Sequence, residues 1–318
     1  MPTRRAILAA GAALLTTPAI AQQRPIRLVV TFPPGGSTDI LARLMAPAME
    51  RHLGTTLVIE NRGGANGAVA MASVAQAAPD GTTFALDAGG ATTNPHLMHG
   101  LGFDYATAFT PVTQATILPA LLVVRGDSPI RDFAAFVAHL RANPGRESYG
   151  SSGVGTGSHL AGALLMRRAG LRATHVPYRG GADQLNSIRR GDTLFTFSTI
   201  PTIAGLIKDG AIRPLVASTP QRATAYPDVP IVAESGYPGF SIYDFHGVYA
   251  PAGTPADAVA RMAAAVRAAM TDPELQPRFV QLGLEPAANG TEAFNAFLAQ
   301  RRAEMGELIR AEQIRLEG

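Results

Sequence analysis

The chain has 318 residues, a formal net charge of +3 and no cysteine. The absence of cysteine excludes disulfide bonds, thiolate catalysis and cysteine-ligated metal sites. Lys208 is the single lysine among 27 basic side chains, and no dense basic run is interleaved with aromatic residues, which argues against nucleic-acid binding. The length exceeds that of a usual single hydrophobic core, so we expect two lobes.

The first residues have the composition of an export signal. Arg4 and Arg5 form a twin-arginine pattern, a weakly apolar stretch follows, and a small-residue cleavage site ends at Ala21. A general secretory signal with a chance arginine pair stays open as the alternative. In both cases we expect cleavage after Ala21 and export to the periplasm, because the apolar run is too short to span a membrane.

The mature chain alternates short apolar strands with helical stretches. Strands are predicted at 26–32, 57–59, 82–86, 118–124, 211–218 and 240–249, and helices at 37–53, 65–78, 130–142, 255–271, 273–282 and 291–314. This alternation predicts an α/β fold in which each lobe is a mostly parallel sheet flanked by helices. The two long apolar runs at 118–124 and 240–249 are expected to cross between the lobes. We therefore assign 22–123 and 246–318 to lobe 1, and 124–245 to lobe 2.

Two glycine- and hydroxyl-rich loops repeat in the two halves. Gly36-Ser37-Thr38-Asp39 and Gly155-Thr156-Gly157-Ser158-His159 each follow a strand-like run and open a helix. Such a loop directs backbone N–H groups toward the positive end of a helix, so each half carries a potential anion site. Two halves that face one another would form a cleft.

Sequence motifs extend this pattern over the mature chain. They are RPIRLVV at 24–30, FPPGGSTD at 32–39, ENR at 60–62, APDG at 78–81, FTPV at 109–112, Gly155-Thr156 with HLA at 159–161, HVPY at 175–178, PDVP at 227–230 and APAGTP at 250–255. In these motifs and their order the chain resembles the Bug-type receptors, which are periplasmic substrate-binding proteins of tripartite tricarboxylate transporters. The resemblance implies a two-lobed Venus-flytrap fold, type II-like, that closes around a small carboxylate.

A carboxylate needs several donors, and glycine backbone and hydroxyl groups can supply them. Donors from both lobes would favour the closed form. We predict ligand-binding residues in both loops, after the third strand of each half and on the hinge side of the cleft: Pro34, Gly35, Gly36, Ser37, Thr38, Asp39, Asn94, Ser151, Ser152, Gly155, Thr156, Ser158, His159, Ser198 and Phe245.

Four of these residues have a second interpretation. Ser37 and Thr156 could simply cap their helices, as Ser and Thr commonly do. Asp39 would repel an anion, so we expect it to stabilise the helix N-terminus or to orient a loop amide. His159 is explained as well by a hydrogen bond within its own lobe.

The sequence offers little support for catalysis. The side chains of Ser158 and His159 diverge on a helix, and no Gly-x-Ser-x-Gly motif is present. His96 and His99 could share a metal, but no third ligand is evident. We predict no catalytic residue, metal or cofactor, and a monomeric receptor that presents a small carboxylate to membrane transporter subunits or a sensor protein. The alternative is a periplasmic cofactor- or nucleotide-dependent enzyme on a doubly wound scaffold.

Overall fold

The computed structural model describes residues 24–311 and 313–315, so the predicted export signal lies outside the described residues. The strands are β1 (Ile26–Val30), β2 (Leu57–Asn61), β3 (Thr83–Asp87), β4 (Phe109–Leu118), β5 (Ala120–Arg125), β6 (Ser148–Ser151), β7 (Thr174–Pro177), β8 (Phe195–Thr199), β9 (Ile212–Ala217), β10 (Asp244–Pro251) and β11 (Glu285–Pro286). The helices are α1 (Ser37–Leu53), α2 (Ala68–Ala75), α3 (Gly90–Leu97), α4 (Phe133–Ala142), α5 (Gly157–Ala169), α6 (Gly181–Arg190), α7 (Ile200–Lys208), α8 (Ala256–Met270), α9 (Gln276–Gln281) and α10 (Thr291–Ala311).

These strands form two sheets, one in each lobe. The first has the order β11-β4-β10-β3-β1-β2 and the second the order β7-β6-β8-β5-β9. Strand β1 runs parallel to β2 and β3, and β6 runs parallel to β7 and β8. Strands β4, β5 and β10, which lie next to the crossings between lobes, are antiparallel to their neighbours. The two-lobed α/β fold is confirmed, but the expectation of mostly parallel sheets is wrong, because the strands that carry the chain across the hinge run against the others.

The chain passes between the sheets at Pro119. The predicted single strand at 118–124 is split there, with β4 in the first sheet and β5 in the second. Proline lacks the N–H that a continuous strand would donate, while its carbonyl accepts a hydrogen bond from Ile200 N at 3.3 Å. The predicted lobe boundary at 123/124 therefore falls inside β5. The boundary at 245/246 falls inside β10, which returns the chain to the first sheet.

The C-terminal helix α10 packs on both lobes. Phe294 and Leu298 in its first half belong to a core cluster of the first lobe, whereas Met305 and Ile309 in its second half join the core of the second. The predicted assignment of the whole tail to lobe 1 is therefore wrong for the end of this helix. Helix α10 is a further connection between the lobes beside the two strand crossings.

Local sequence signals explain where the elements that approach the cleft begin and end. Helix α1 buries Leu41, Met45 and Met49 at helical spacing, and each such side chain contributes roughly 1.5–3 kcal/mol by burial. It ends at Gly54, which has the left-handed φ of 66°. No helix in the described part of the chain is long and apolar enough to cross a membrane.

Candidate functional site

A cleft of about 820 Å³, including the space open to solvent, lies between the two lobes. Its walls come from the loop before α1, the loop before α5, the ends of β8 and β10, and the first turns of α6 and α7. The lining residues are Phe32, Pro33, Pro34, Gly36, Ser37, Thr38, Ala88, Ala120, Ser152, Thr156, Ser158, Gly180, Gly181, Ala182, Asp183, Gln184, Phe197, Ser198, Thr199, Thr202 and Asp244.

Four helices direct their N-termini toward this cleft. The residues at their N-cap positions are Gly36, Thr156, Gly180 and Thr199, and none makes a side-chain capping bond within the described structure. A side-chain cap is also absent from α2, α3, α8 and α9, whereas Asp132 at the N-terminus of α4 accepts a hydrogen bond from Ala135 N. The first N–H groups of a helix have no partner inside it, so the cleft is surrounded by backbone donors suited to an anion.

The two repeated loops use the same local device. Gly35 and Gly155 both have left-handed φ values, 80° and 78°, and each lies just before an N-cap residue. The Gly35 N–H donates to Asp39 Oδ2 at 3.0 Å, and the Gly155 N–H donates to His159 Nδ1 at 3.1 Å. In each lobe the third residue of the helix thus fixes the glycine that turns the chain into the helix.

The charges of these two side chains follow from their surroundings. Burial raises the pKa of Asp39, but hydrogen bonds from Arg43 and the Gly35 amide outweigh it and hold that pKa below its usual value, so the carboxylate stays ionised. Burial lowers the pKa of His159 to about 4, so its ring is neutral and Nδ1 is free to accept. Asp39 and His159 thus each accept a hydrogen bond from a glycine of their own loop, and neither lines the cleft.

Thr38 is the most informative side chain in the first lobe. It lines the cleft, it is fully buried, and its Oγ1 has no hydrogen-bond partner among the described residues. A buried hydroxyl without a partner costs stability unless a ligand or water satisfies it. Thr38 Oγ1 is closed off from solvent in this arrangement, so a ligand oxygen can accept from it once the cleft wall shifts around a bound molecule.

In the second lobe, three hydroxyls form a chain along the cleft wall. Thr156 Oγ1 donates to Gly153 O at 2.7 Å, so its single proton is used within the loop. Ser158 Oγ lies 2.9 Å from Thr156 Oγ1 and accepts from the Ser152 N–H at 3.0 Å. Ser152 Oγ lies 3.2 Å from Ser158 Oγ and at the cleft wall, so its proton can go either to Ser158 or to a ligand. The interpretation of Ser37 and Thr156 as helix caps does not match their hydrogen bonds. Thr156 occupies the N-cap position of α5 but its hydroxyl makes no capping bond, and Ser37 follows the N-cap residue as the first residue of α1.

Direct contacts hold the two lobes together around the cleft. Asn66 Nδ2 in the first lobe donates to Gly155 O in the second at 3.1 Å. On the other side, a Cβ placed on Gly180 would lie 3.4 Å from Pro33 Cδ, so the loops before α1 and α6 nearly touch. The structure therefore shows the lobes in a closed arrangement.

Eight of the fifteen sequence-predicted site residues line the cleft. They are Pro34, Gly36, Ser37, Thr38, Ser152, Thr156, Ser158 and Ser198. Gly35, Asp39, Gly155 and His159 do not line it, because they hold the loops in the way described above. Ser151 is buried with its hydroxyl 2.6 Å from His175 Nε2.

Asn94 and Phe245 lie away from the cleft for other reasons. Asn94 lies on α3 rather than in a loop, and its side chain is fully used by Asn66 and Tyr105. Phe245 is buried in the first lobe against Phe297, with ring centroids 4.9 Å apart. These two side chains therefore do not line the cleft in this arrangement.

Residues that the sequence-based prediction missed come chiefly from α6, α7 and β10. The signal for α6 was present, because Gly180-Gly181 is the second-half counterpart of the Gly63-Gly64 loop. Asp244 carried no local signal. Alternate side chains of a strand point to opposite faces, and Phe245 enters the core, so Asp244 faces the cleft.

The charged side chains of the cleft lining are all acidic. They are Asp183 in the first turn of α6 and Asp244 at the start of β10, and no Lys, Arg or His belongs to the lining. Burial raises the pKa of Asp244 to about 7, with a partial offset from the charge of Arg301. An anionic ligand would therefore be held by backbone N–H groups and hydroxyls rather than by cationic side chains.

The described residues contain no group of three or more His, Cys, Asp or Glu side chains placed to hold a metal ion. His96, one of the two histidines considered from the sequence, is bonded through Nε2 to Arg302 O at 2.8 Å. This hydrogen bond links α3 to the C-terminal helix α10.

Known proteins are similar to this chain in both sequence and architecture. The family of tripartite tricarboxylate transporter receptors matches residues 41–314. The periplasmic binding protein BugD is 32% identical, with a TM-score of 0.88 over 92% of this chain and 99% of its own. A protein of R. palustris solved with adipate is 32% identical, with a TM-score of 0.89 over 92% of this chain and 98% of its own. MatC from Rhodopseudomonas palustris, solved with bound malate, is 29% identical, with a TM-score of 0.84 over 90% and 99% of the two chains.

Proposed function

This chain belongs to the tripartite tricarboxylate transporter receptor family, and we propose that it captures a small carboxylate-containing solute in the cleft between its lobes. Members of this family are solute-binding receptors and not enzymes, which sets aside the enzymatic alternative. The observation that carries the proposal is the buried, unpartnered hydroxyl of Thr38 at a cleft ringed by four uncapped helix N-termini. These donors fit a carboxylate, and the bound adipate and malate of two similar structures have the same chemistry.

The geometry also supports a role for the ligand in closure. Donors come from α1 in the first lobe and from α5, α6 and α7 in the second, so a carboxylate satisfies both walls only when the lobes are together. A ligand that binds the closed form more tightly shifts the population toward it. We propose that the closed, loaded, monomeric receptor presents the solute to membrane subunits of a tripartite tricarboxylate-type transporter or to a sensor protein.

The proposed location is the periplasm, after export and cleavage of the signal following Ala21. The twin-arginine pattern at Arg4 and Arg5 and the small residues before the cleavage site support this. The family relationship to the periplasmic protein BugD agrees with it. N-terminal sequencing of the protein from the periplasmic fraction would test the cleavage site.

A ligand screen tests the central proposal. Purified mature protein is heated with mono-, di- and tricarboxylates, including malate and adipate, and each stabilising acid is then titrated by calorimetry. An acid present at about 100 times its dissociation constant should stabilise the protein by about 2.7 kcal/mol. If none of the carboxylates shifts the melting temperature or releases heat, the proposed function is wrong.

A further inference from the structure

Asp244 is placed where it can contact whatever the cleft holds. Its side chain lines the cleft and is only partly buried, and its carboxylate makes no hydrogen bond with the described residues. In contrast, the other carboxylate near this position, Asp87, is fully buried and accepts from Thr31 Oγ1 at 2.9 Å and Ala91 N at 3.0 Å. Asp244 is thus an acceptor without a donor, at the floor of a ligand site.

The neighbouring backbone leaves room for this carboxylate. A Cβ on Gly157, the first residue of α5, would lie 2.4 Å from Asp244 Oδ1, and one on Gly89 before α3 would lie 3.3 Å from it. Real Cβ atoms do not approach an oxygen as closely as the first of these distances. The position of Asp244 therefore depends on glycine at 157, and the carboxylate lies against the same helix end that offers donors to the ligand.

The charge of the cleft restricts what can bind beside Asp244. Apart from Asp244, the charged group of the lining is Asp183. The cation that acts on Asp244 is Arg301. Arg301 itself donates hydrogen bonds to Glu304 Oε2 at 2.7 Å and to Tyr243 O at 3.3 Å. A ligand with two carboxylates would bring a second negative charge toward an acidic floor with no cationic side chain in the lining. A ligand that carries a carboxylate and an ammonium group matches both parts of the cleft, because the amides and hydroxyls receive the first and Asp244 receives the second.

We propose that Asp244 accepts hydrogen bonds from an amino group of the ligand, so that the cleft prefers an amino acid over the same carboxylate without the amine. This inference rests on the proposed function and specifies the ligand class of that site. The alternative is a protonated Asp244 that donates to a second ligand carboxylate. Burial raises the pKa of Asp244 to about 7, the charge of Arg301 lowers it and the charge of Asp87 raises it. Both protonation states of Asp244 are therefore accessible near neutral pH, and the experiment distinguishes the two possibilities.

The experiment compares acids that differ only in the α-amino group. Dissociation constants are measured by calorimetry for L-aspartate and succinate, L-glutamate and glutarate, and L-leucine and 4-methylpentanoate. In the pairs that bind, we expect the amino acid to bind more tightly by about tenfold or more. In Asp244→Asn this ratio should fall to about one. The matched control is Asp209→Asn, which removes the same charge from an exposed position at the end of α7 and should leave the ratio unchanged.

A pH series on the unaltered protein tests the same inference without relying on a variant that folds. Between about pH 8 and about pH 6, protonation of Asp244 removes the acceptor, so the affinity for the amino acid should fall as the pH falls. The charged groups that act on Asp244 in this series are Arg301 and Asp87, and Asp183 is the other carboxylate of the cleft lining. If Asp244 instead donates to a second carboxylate, the desamino acid gains affinity as the pH falls and the inference is wrong.

The outcomes separate the inference from the proposed function. Equal or tighter binding of the desamino acids, or a ratio that Asp244→Asn leaves unchanged, overturns the amino-group inference and leaves the carboxylate receptor intact. If no acid binds, malate and adipate included, the proposed function is wrong and the inference falls with it.

Discussion

Replacing Thr38 with valine should weaken ligand binding without weakening the fold. Valine has nearly the same shape as threonine and a similar helix propensity, so packing in the first turn of α1 is retained. The lost hydroxyl has no partner in the described structure, and a buried polar group without a partner costs about 1–3 kcal/mol. We therefore expect the free energy of unfolding of the ligand-free protein to stay the same or to rise by up to about 1 kcal/mol.

The effect on binding has the opposite sign. A hydrogen bond from a neutral hydroxyl to a carboxylate contributes about 1.5–3 kcal/mol, so Thr38→Val should raise the dissociation constant by about ten- to 150-fold. Calorimetry with the tightest-binding acid measures this change, and urea unfolding of the ligand-free protein measures stability. The measurements should be made under one buffer condition.

Thr31→Val is the matched control. Thr31 is also fully buried on the first lobe, but its Oγ1 donates to Asp87 Oδ1 at 2.9 Å and it does not line the cleft. This variant should lose about 1–3 kcal/mol of stability because it leaves the buried carboxylate short of a donor, and it should keep most of its affinity. The reasoning is refuted if Thr38→Val behaves in the same way, with lower stability and an unchanged dissociation constant.

Three further predictions concern other parts of the cleft and its support. Gly157→Ala should lower both stability in thermal melts and ligand affinity, because the new Cβ would lie 2.4 Å from Asp244 Oδ1. The control is Gly205→Ala in the open middle of α7, which should raise stability by up to about 1 kcal/mol in the same melts. Ser152→Ala should weaken ligand binding by about 1 kcal/mol and change the free energy of unfolding by less than about 0.5 kcal/mol, because Ser158 keeps its contact with Thr156. Full affinity in calorimetry would show that Ser152 Oγ donates to Ser158 and not to the ligand. Burial, with a smaller contribution from His159, lowers the pKa of His175 to about 3, so the unfolded chain binds a proton that the folded protein does not between about pH 6.5 and that value. The stability that this group contributes is present above pH 6.5 and is lost as the pH falls. Between about pH 7 and pH 5, the free energy of unfolding of His175→Gln, measured in urea, should therefore fall less than that of the unaltered protein. An equal fall in the two proteins would contradict the lowered pKa of His175.

Much of the fold is readable in the sequence because its signals act over a few residues. The apolar runs that form β1, β2 and β3 and the periodic apolar positions of α1 are local patterns, and the observed elements overlap them, with β2 and β3 ending one or two residues later than predicted. Helix α3 escaped prediction because it begins with glycine and contains Pro95, both poor helix formers. The start of the predicted helix at 65–78 was wrong, because Asn66 has a left-handed φ of 48° and the regular helix begins after Gly67.

The candidate site also has a part that local sequence patterns predict and a part that they do not. The sequence by itself determined that two glycine and hydroxyl loops open helices, and thus that backbone N–H groups are available to an anion, because glycine, hydroxyl side chains and helix starts are local features. The partners of Thr38, Thr156 and His159 were not readable, since each hydroxyl or ring could serve the loop or the ligand with equal chemistry.

Only the tertiary structure decided which side chains face the cleft. Asp244 faces the cleft and Phe245 faces the core because β10 pairs with β3 and β4 in one register, and a shift by a single residue would exchange the two. The same holds for the N-terminus of α6, which becomes part of the site when Gly180 meets Pro33 from the other lobe. Such contacts join residues far apart in the chain, and their geometry is set by the packing of both lobes rather than by any local sequence pattern.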